Sequence, residues 1–313
     1  MFAGAMVVGL AVEAVLGWPD ALHARIGHPV TWLGKLIGWS DQKFNRDTDA
    51  HLLRRLRGTG VALAVAGLAY GLAALVAWAL PEGWPGAVLT GLIAWPLLAT
   101  RSLHDHVAAV ARPLAAADLP GARRAVAMIV GRDPDRLDQA GVARAALESL
   151  AESTSDGIVA PVFWGLLLGL PGIAAYKAIN TLDSMIGHLS PRHAAFGWAA
   201  ARIDDVANLI PARLSGLLFV AVSGHDAARA LRVMWADASH HRSPNAGWPE
   251  AALAGALNIR LSGPRVYDGQ MTAEPWVNAA APDPTPADLT RGLALYRRAM
   301  TALILALALL AVI

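Results

Sequence analysis

Long uncharged runs alternate with polar, mostly basic stretches along this chain. The cleanest run, GTGVALAVAGLAYGLAALVAWAL at Gly58–Leu80, is long enough to cross about 30 Å of hydrocarbon as a helix. PEGWP then turns the chain, and Gly86–Thr100 forms a shorter apolar partner with Pro96 inside it. A last uncharged run covers Ala299–Ile313, in a helix whose start is signalled by Thr285 as cap, Pro286 at the first helical position and Asp288 in the first turn. Spans are therefore expected near 1–17, 58–80, 86–100 and 299–313. Two further segments, 157–176 and 206–224, are expected to insert only partly. Pro161 and Pro171 interrupt the first, and the uncharged part of the second, Leu214–Gly224, is too short to span alone. A broken helix survives at membrane depth only where protein or a water-filled cavity satisfies its freed backbone groups. The pattern predicts an all-α, polytopic membrane bundle with broken or re-entrant helices and cytoplasmic helical loops, organised as one integral-membrane domain over 1–313.

Composition agrees with a bilayer as solvent. Of 313 residues 55% are hydrophobic and 16% are charged, against about 25% charged in soluble domains. The formal net charge of +2 gives no reason to invoke nucleic acid. With no cysteine, disulfides, thiolate metal sites and cysteine nucleophiles are excluded. Met1–Asp20 lacks a basic region ahead of its apolar run and reads as a retained first helix, not a cleaved signal peptide. Seven basic residues in Arg25–Arg57 and seven in Arg101–Arg144 face a PEGWP turn that has none. The positive-inside rule puts both basic stretches in the cytoplasm. His225–Arg298, with eight more, is expected there too. Partial insertion of the two broken segments gathers the polar motifs on that cytoplasmic face of the cell (inner) membrane.

Four polar groups interrupt the apolar pattern. In RAALESLAESTSDG, Arg144, Glu148, Glu152 and Asp156 recur every fourth residue and share one face if the helix continues. Alone, such a run is usually a solvated face, but here it leads straight into an apolar segment where unpaired carboxylates are costly. In GIAAYKAINTLDSMIGH, Lys177, Asn180, Asp183 and Ser184 share a face, with His188 a turn further on. Asn180 and Asp183 are spaced to present oxygens to one magnesium ion, with Lys177 as a point charge for phosphate; a self-neutralising Lys–Asp pair explains the pattern equally well. In ARIDDVANLIPAR, Asp204 and Asp205 raise each other's pKa unless a cation compensates. With Asn208 one turn away they favour magnesium, which takes few carboxylates and keeps waters or phosphate oxygens. SPNAG, from Ser243 through Asn245 to Gly247, reads as a turn, of the kind that hosts binding residues on rigid scaffolds. A Walker A loop and a His-Glu-x-x-His zinc motif are absent. His104 and His106, two apart, diverge on a helix and are expected to make only surface or local hydrogen bonds.

Six motifs in order give the chain a family resemblance: GHPVTWLGKLI from Gly27, GRDPDRLD from Gly131, ESLAESTSDGIVAPVFW from Glu148, AYKAINTLDSMIGH from Ala175, FGWAAARIDDVANLIPARL from Phe196 and SPNAGWPEAALAGAL from Ser243. It resembles the CobD/CbiB membrane proteins, the adenosylcobinamide-phosphate synthases of cobalamin biosynthesis. Ser153, the GWPD at Gly17 and His188 depart from that family's commoner residues. The resemblance implies a ligase that joins (R)-1-amino-2-propanol or its O-phosphate to a propionate carboxylate of adenosylcobyric acid. The corrinoid's cobalt belongs to the substrate. A carboxylate and an ammonium ion do not condense at neutral pH, so ATP with Mg²⁺ is expected to activate the acid. On that reading Asp204, Asp205 and Asn208 hold the metal-phosphate, with Asp183 and Asn180 contributing. Lys177, Arg202 and Arg213 neutralise phosphate oxygens, and Glu148 or Glu152 orients or deprotonates the amine. Asp156, Ser184, Ser243 and Asn245 complete the candidate set. The bilayer and other late enzymes of the pathway are the expected partners. Without the resemblance, a magnesium-dependent membrane prenyltransferase would compete, although DDVAN and NTLDS only approximate its Asp-rich motifs. A transporter with a broken-helix site would compete too, although the sequence shows no inverted repeat.

Overall fold

A computed structural model describes residues 1–130, 134–267, 270–272 and 274–313. Gly131–Asp133 of the GRDPDRLD motif lie outside them. The fold is almost entirely helical. In chain order the helices are α1 (Phe2–Leu16), α2 (Asp20–Ile26), α3 (Pro29–Phe44), α4 (His51–Ala79), α5 (Gly83–Ala94), α6 (Thr100–Ala115), α7 (Leu119–Val126) and α8 (Gln139–Thr154). There follow α9 (Ala160–Leu182), α10 (Trp198–Ala207), α11 (Leu209–Ala221), α12 (Ala227–Asp237), α13 (Gly247–Leu257) and α14 (Pro286–Val312). Two short antiparallel pairs, Leu261–Ser262 with Trp276–Val277 and Arg265–Tyr267 with Gln270–Thr272, are the strands among the described residues.

Four helical stretches are long and apolar enough to cross a membrane: His51–Ala79, Gly83–Ala115, Gln139–Gly187 and Pro286–Val312. Phe2–Leu16 and Ala21–Phe44 form a pair bent by 106° that passes the same test together. The uncharged runs are thus parts of longer helices that extend into charged sequence. The helix of the 58–80 run starts at His51 and carries Arg54, Arg55 and Arg57 in its first turns. Pro96 does interrupt its segment, as a 3₁₀ turn over Trp95–Leu97 before α6. In the 157–176 segment the break falls at Gly169, whose φ of 64° no L side chain adopts easily, two residues before Pro171. The start of α14 is built from the expected residues in a different way. Asp288 Oδ2 accepts both the backbone N–H and the hydroxyl of Thr285, so the carboxylate reaches back and the threonine does not cap forward.

By contacts the chain forms two compact units. The first comprises 1–99, 160–208 and 307–313. In it α4 packs along α9, α1 along α5, and α10 against both α4 and α9. Ile37, Val61, Val65, Leu182, Ile186 and Phe196 form its core, a row of side chains at helical spacing from four elements. Gly58 permits a close approach: a Cβ there would lie 1.8 Å from the Phe196 carbonyl oxygen.

The second unit comprises 100–159 and 209–306. There α13 is the hub, packed on α8, α11 and α12 and buried along its length from Gly247 to Leu257. Tyr296 of α14, fully buried, donates to the Thr100 carbonyl at 2.6 Å. His104 stays local, pairing with Asp105 at 3.1 Å, and His106 Nδ1 lies 2.6 Å from the Ser102 carbonyl.

Candidate active site

The first unit gathers the polar residues of α9 and α10. At the end of α9 the helix widens into a π turn, Asp183–Gly187, against which α10 packs. This extra residue per turn changes the expected face. Lys177, Asn180 and Asp183 remain half-buried, Ser184 is exposed with its hydroxyl donating to the Asn180 carbonyl at 2.9 Å, and His188 leaves the helix in extended backbone. π turns are rare and occur frequently at functional sites.

On α10, Asp204 is buried and Asp205 is half-exposed. Asp205 pairs with Arg202 at 3.1 Å. Asp204 Oδ2 accepts from Asn208 Nδ2 at 3.0 Å, and Asn208 Oδ1 accepts from Tyr176 Oη at 2.9 Å. Asn208 thus ties a buried carboxylate to a buried phenol, a use the metal-ligand expectation did not include. Burial, then the charge of Asp183, pushes Asp204 up from 3.8 to about 7. Burial also raises Asp205, against the opposing pull of Arg202. The charges of Asp183, Asp204 and Asp205 act on one another, and Arg202 acts on Asp183 and Asp205. Lys177 lies within electrostatic reach of His28 on the preceding elements.

The second unit holds the other expected residues, in roles unlike those read from spacing. Arg144, Glu148 and Glu152 lie at i, i+4 and i+8 of α8, and only Asp156 falls outside that face. A π turn over Ser155–Val159 ends the α periodicity before Asp156, Glu148 is buried and Glu152 is exposed. Glu148 Oε1 accepts the Ser262 backbone N–H at 2.8 Å and so anchors a strand. Arg144 pairs with Asp283 and lies over the Trp276 ring at 4.6 Å. Arg213 donates to the Leu209 carbonyl at 2.6 Å and stacks on Trp248 at 4.4 Å. Ser243 Oγ accepts the backbone N–H groups of Asn245 and Ala246, both at 3.2 Å, and so holds the turn that leads into α13. Asn245 is buried there.

The CobD/Cbib protein family matches residues 6–296. The chain belongs to it. It is 64% identical to the "Cobalamin biosynthesis protein CobD" of Rhodobacter capsulatus, over 100% of this chain and 98% of that one. It is 47% identical to the protein of that name from Brucella suis biovar 1, covering 94% and 92%, and 48% identical to that of Rhizobium meliloti, covering 88% and 86%. No solved structure matches the chain. As a CobD family member the protein belongs to cobalamin biosynthesis.

Do the residues of this CobD chain suit a magnesium ion? Among the described residues no three His, Asp or Glu side chains meet as a ready-made metal cage. Yet Asp204 Oδ1 is buried and no hydrogen bond of good geometry reaches it, although the Asn180 side chain lies close enough to favour the charged form. A buried carboxylate with an orphaned oxygen, on which the charges of Asp183 and Asp205 act, suits a cation whose remaining ligands are waters or phosphate oxygens.

Several polar residues of this CobD chain went unnoticed in the sequence. Tyr176 was hidden by its apolar neighbours. Glu250, buried on α13 with His241 Nε2 3.8 Å from its Oε1, had one legible signal, a lone acid in the uncharged run GWPEAALAGAL. Asp41 and His193, 3.4 Å apart, are too distant in sequence for any pattern to join them.

Proposed function

We propose that this protein forms the amide bond between (R)-1-amino-2-propanol, or its O-phosphate, and a propionate carboxylate of adenosylcobyric acid, at the expense of ATP. The observation that carries the reading is the carboxylate cluster of Asp183, Asp204 and Asp205, edged by Arg202, in a chain of the CobD family. Amide formation from a carboxylate needs an activated acyl group, and an acyl phosphate or adenylate requires close control of phosphate charge.

Asp183, Asp204 and Asp205 would hold Mg²⁺, which would supply positive charge to offset that of phosphate oxygens. Asn208 and Tyr176 fix the rotamer of Asp204, so its carboxylate is oriented before substrate arrives. Lys177 would act as a point charge for phosphate oxygens, and Arg202, already held by Asp205, as a second. The bulky corrinoid would approach from the cytoplasm, where the basic loops lie by the positive-inside rule, with the chain resident in the inner membrane.

The test is a product assay by mass spectrometry. Purified protein in detergent receives adenosylcobyric acid, ATP and Mg²⁺, with aminopropanol or its phosphate in parallel. An amide product that requires ATP supports the reading and identifies the preferred amine. No product from folded protein with either amine, even after a membrane extract is added, refutes it.

A further inference from the structure

The loop that follows the π turn carries a second cluster, in the same unit. Asp41, at the end of α3, is only 14% exposed at its side chain, and His193, 12% exposed, places Nε2 3.4 Å from Asp41 Oδ2. The other ring nitrogen, His193 Nδ1, lies 3.1 Å from His188 Nε2. His188 is exposed and sits immediately after the turn that bears Asp183. Asp183 Oδ1 lies against Gly187, where a Cβ would meet it at 1.9 Å. Carboxylate, buried imidazole and exposed imidazole therefore form a series that ends one residue beyond the turn bearing Asp183.

The surrounding residues hold this series in place. Arg192 grips Asp41 Oδ2 with Nε and Nη2, both at 3.0 Å, and Asn45 donates to Asp41 Oδ1 at 2.7 Å. The Arg192 carbonyl accepts from Asn45 at 3.0 Å and from Arg54 at 2.5 Å, which clamps the loop to the end of α3 and the start of α4. Ser190 Oγ accepts the His193 backbone N–H at 3.1 Å and lies 3.3 Å from Nδ1. Asp41, Arg192, Ser190 and His188 are thus the polar groups that face His193.

Two ring nitrogens 3.1 Å apart must share one proton. His193 Nε2 makes no hydrogen bond in this arrangement, but the Asp41 carboxylate 3.4 Å away favours a proton there, which leaves Nδ1 to accept from His188 Nε2–H. His188 Nδ1 then carries the lone pair on an exposed ring.

We propose that in this chain, whose His188 departs from the family's commoner residue, Asp41, His193 and His188 form a proton relay in which His188 Nδ1 is the general base that takes the proton from the attacking amine. The inference rests on the amide-forming reading above. The ammonium gives one proton to His188 Nδ1, the Nε2 proton of His188 passes to His193 Nδ1, and the positive charge settles beside Asp41. The freed amine forms the N–C bond. The C–O bond to phosphate breaks, the electron pair leaves on the phosphate oxygen, and that oxygen takes the second amine proton. His188 is the catalytic group; His193 and Asp41 are positioning residues.

Hydroxylamine separates this role from a structural one, because it is already unprotonated at neutral pH and needs no base. Full-length protein and its His188→Gln variant are assayed with adenosylcobyric acid, ATP and Mg²⁺, using aminopropanol or hydroxylamine as nucleophile. The expected result is a fall of about 100-fold in kcat with aminopropanol, hydroxamate formation within about twofold of wild type, and partial recovery of the variant at alkaline pH. His193→Gln should follow the same pattern more weakly. Equal slowing with both nucleophiles, or slowing with neither, overturns the relay. Failure of the wild type to make either product overturns the reaction itself, and the relay with it.

Discussion

Asn208 donates to the buried carboxylate of Asp204 at 3.0 Å while its own carbonyl oxygen accepts the Tyr176 hydroxyl at 2.9 Å. A single amide thereby connects α9 to α10 and leaves one Asp204 oxygen, Oδ1, buried without a hydrogen bond. An oriented acid with a spare lone pair is suited to a cation, and an uncompensated one is a cost to the fold. The two consequences can be measured separately.

Asp204→Asn should reduce turnover at least about 100-fold, the scale expected when charge stabilisation is lost from a reaction centre, and still yield folded protein in membranes. Product formation by mass spectrometry checks the first part and gel filtration in detergent the second. Full activity would remove Asp204 from the metal-phosphate role.

The same residue sets a pH dependence. The folded state holds the Asp204 proton up to about pH 7, whereas an unfolded chain releases it near 3.8. Between those values the native state binds more protons, so stability falls as pH rises through the window. Thermal unfolding at pH 5 and pH 8 should show this loss in the wild type and less of it in Asp204→Asn.

Magnesium should offset the repulsion. At pH 8, millimolar Mg²⁺ is expected to raise the thermal midpoint of the wild type, because a ligand that binds only the native state stabilises it. The gain should vanish in Asp204→Asn. Equal gains in both proteins would place the ion elsewhere.

Tyr176→Phe removes the hydroxyl from a 1% exposed side chain and deprives Asn208 Oδ1 of its donor. The expected cost is about 1–3 kcal/mol, the penalty of a buried unsatisfied acceptor. Unfolding in denaturant would measure it, and an unchanged midpoint would show that Asn208 finds another donor.

Two glycines on α4 should respond in opposite ways to alanine. At Gly58 the new methyl would meet the Phe196 carbonyl oxygen at 1.8 Å, whereas at Gly60 nothing lies within 4 Å. Gly58→Ala should destabilise by about 1–3 kcal/mol through overpacking. Gly60→Ala should be neutral or stabilising by up to about 1 kcal/mol, since alanine favours helix. Comparing their thermal midpoints tests how closely α4 is seated.

The sequence by itself determined the solvent, the element type and the family. Uncharged runs at Gly58–Leu80 and Ala299–Ile313 admit little but membrane helices, because hydrocarbon leaves backbone groups no partner outside the helix. It also determined which polar residues are exceptional, since Asp183, Asp204 and Asp205 stand out against an apolar background. What each one does was decided by the tertiary structure. Spacing put Glu148 and Glu152 on one face, yet packing buries the first under a strand and leaves the second exposed. A π turn shifted Asp156 and another freed His188 from α9, changes that no 3.6-residue pattern can register. Tyr176 with Asn208, and Asp41 with His193, meet only because helices distant in sequence pack together. Periodicity is a local property of the chain, whereas the partner of a buried polar group is fixed by whichever segment closes over it.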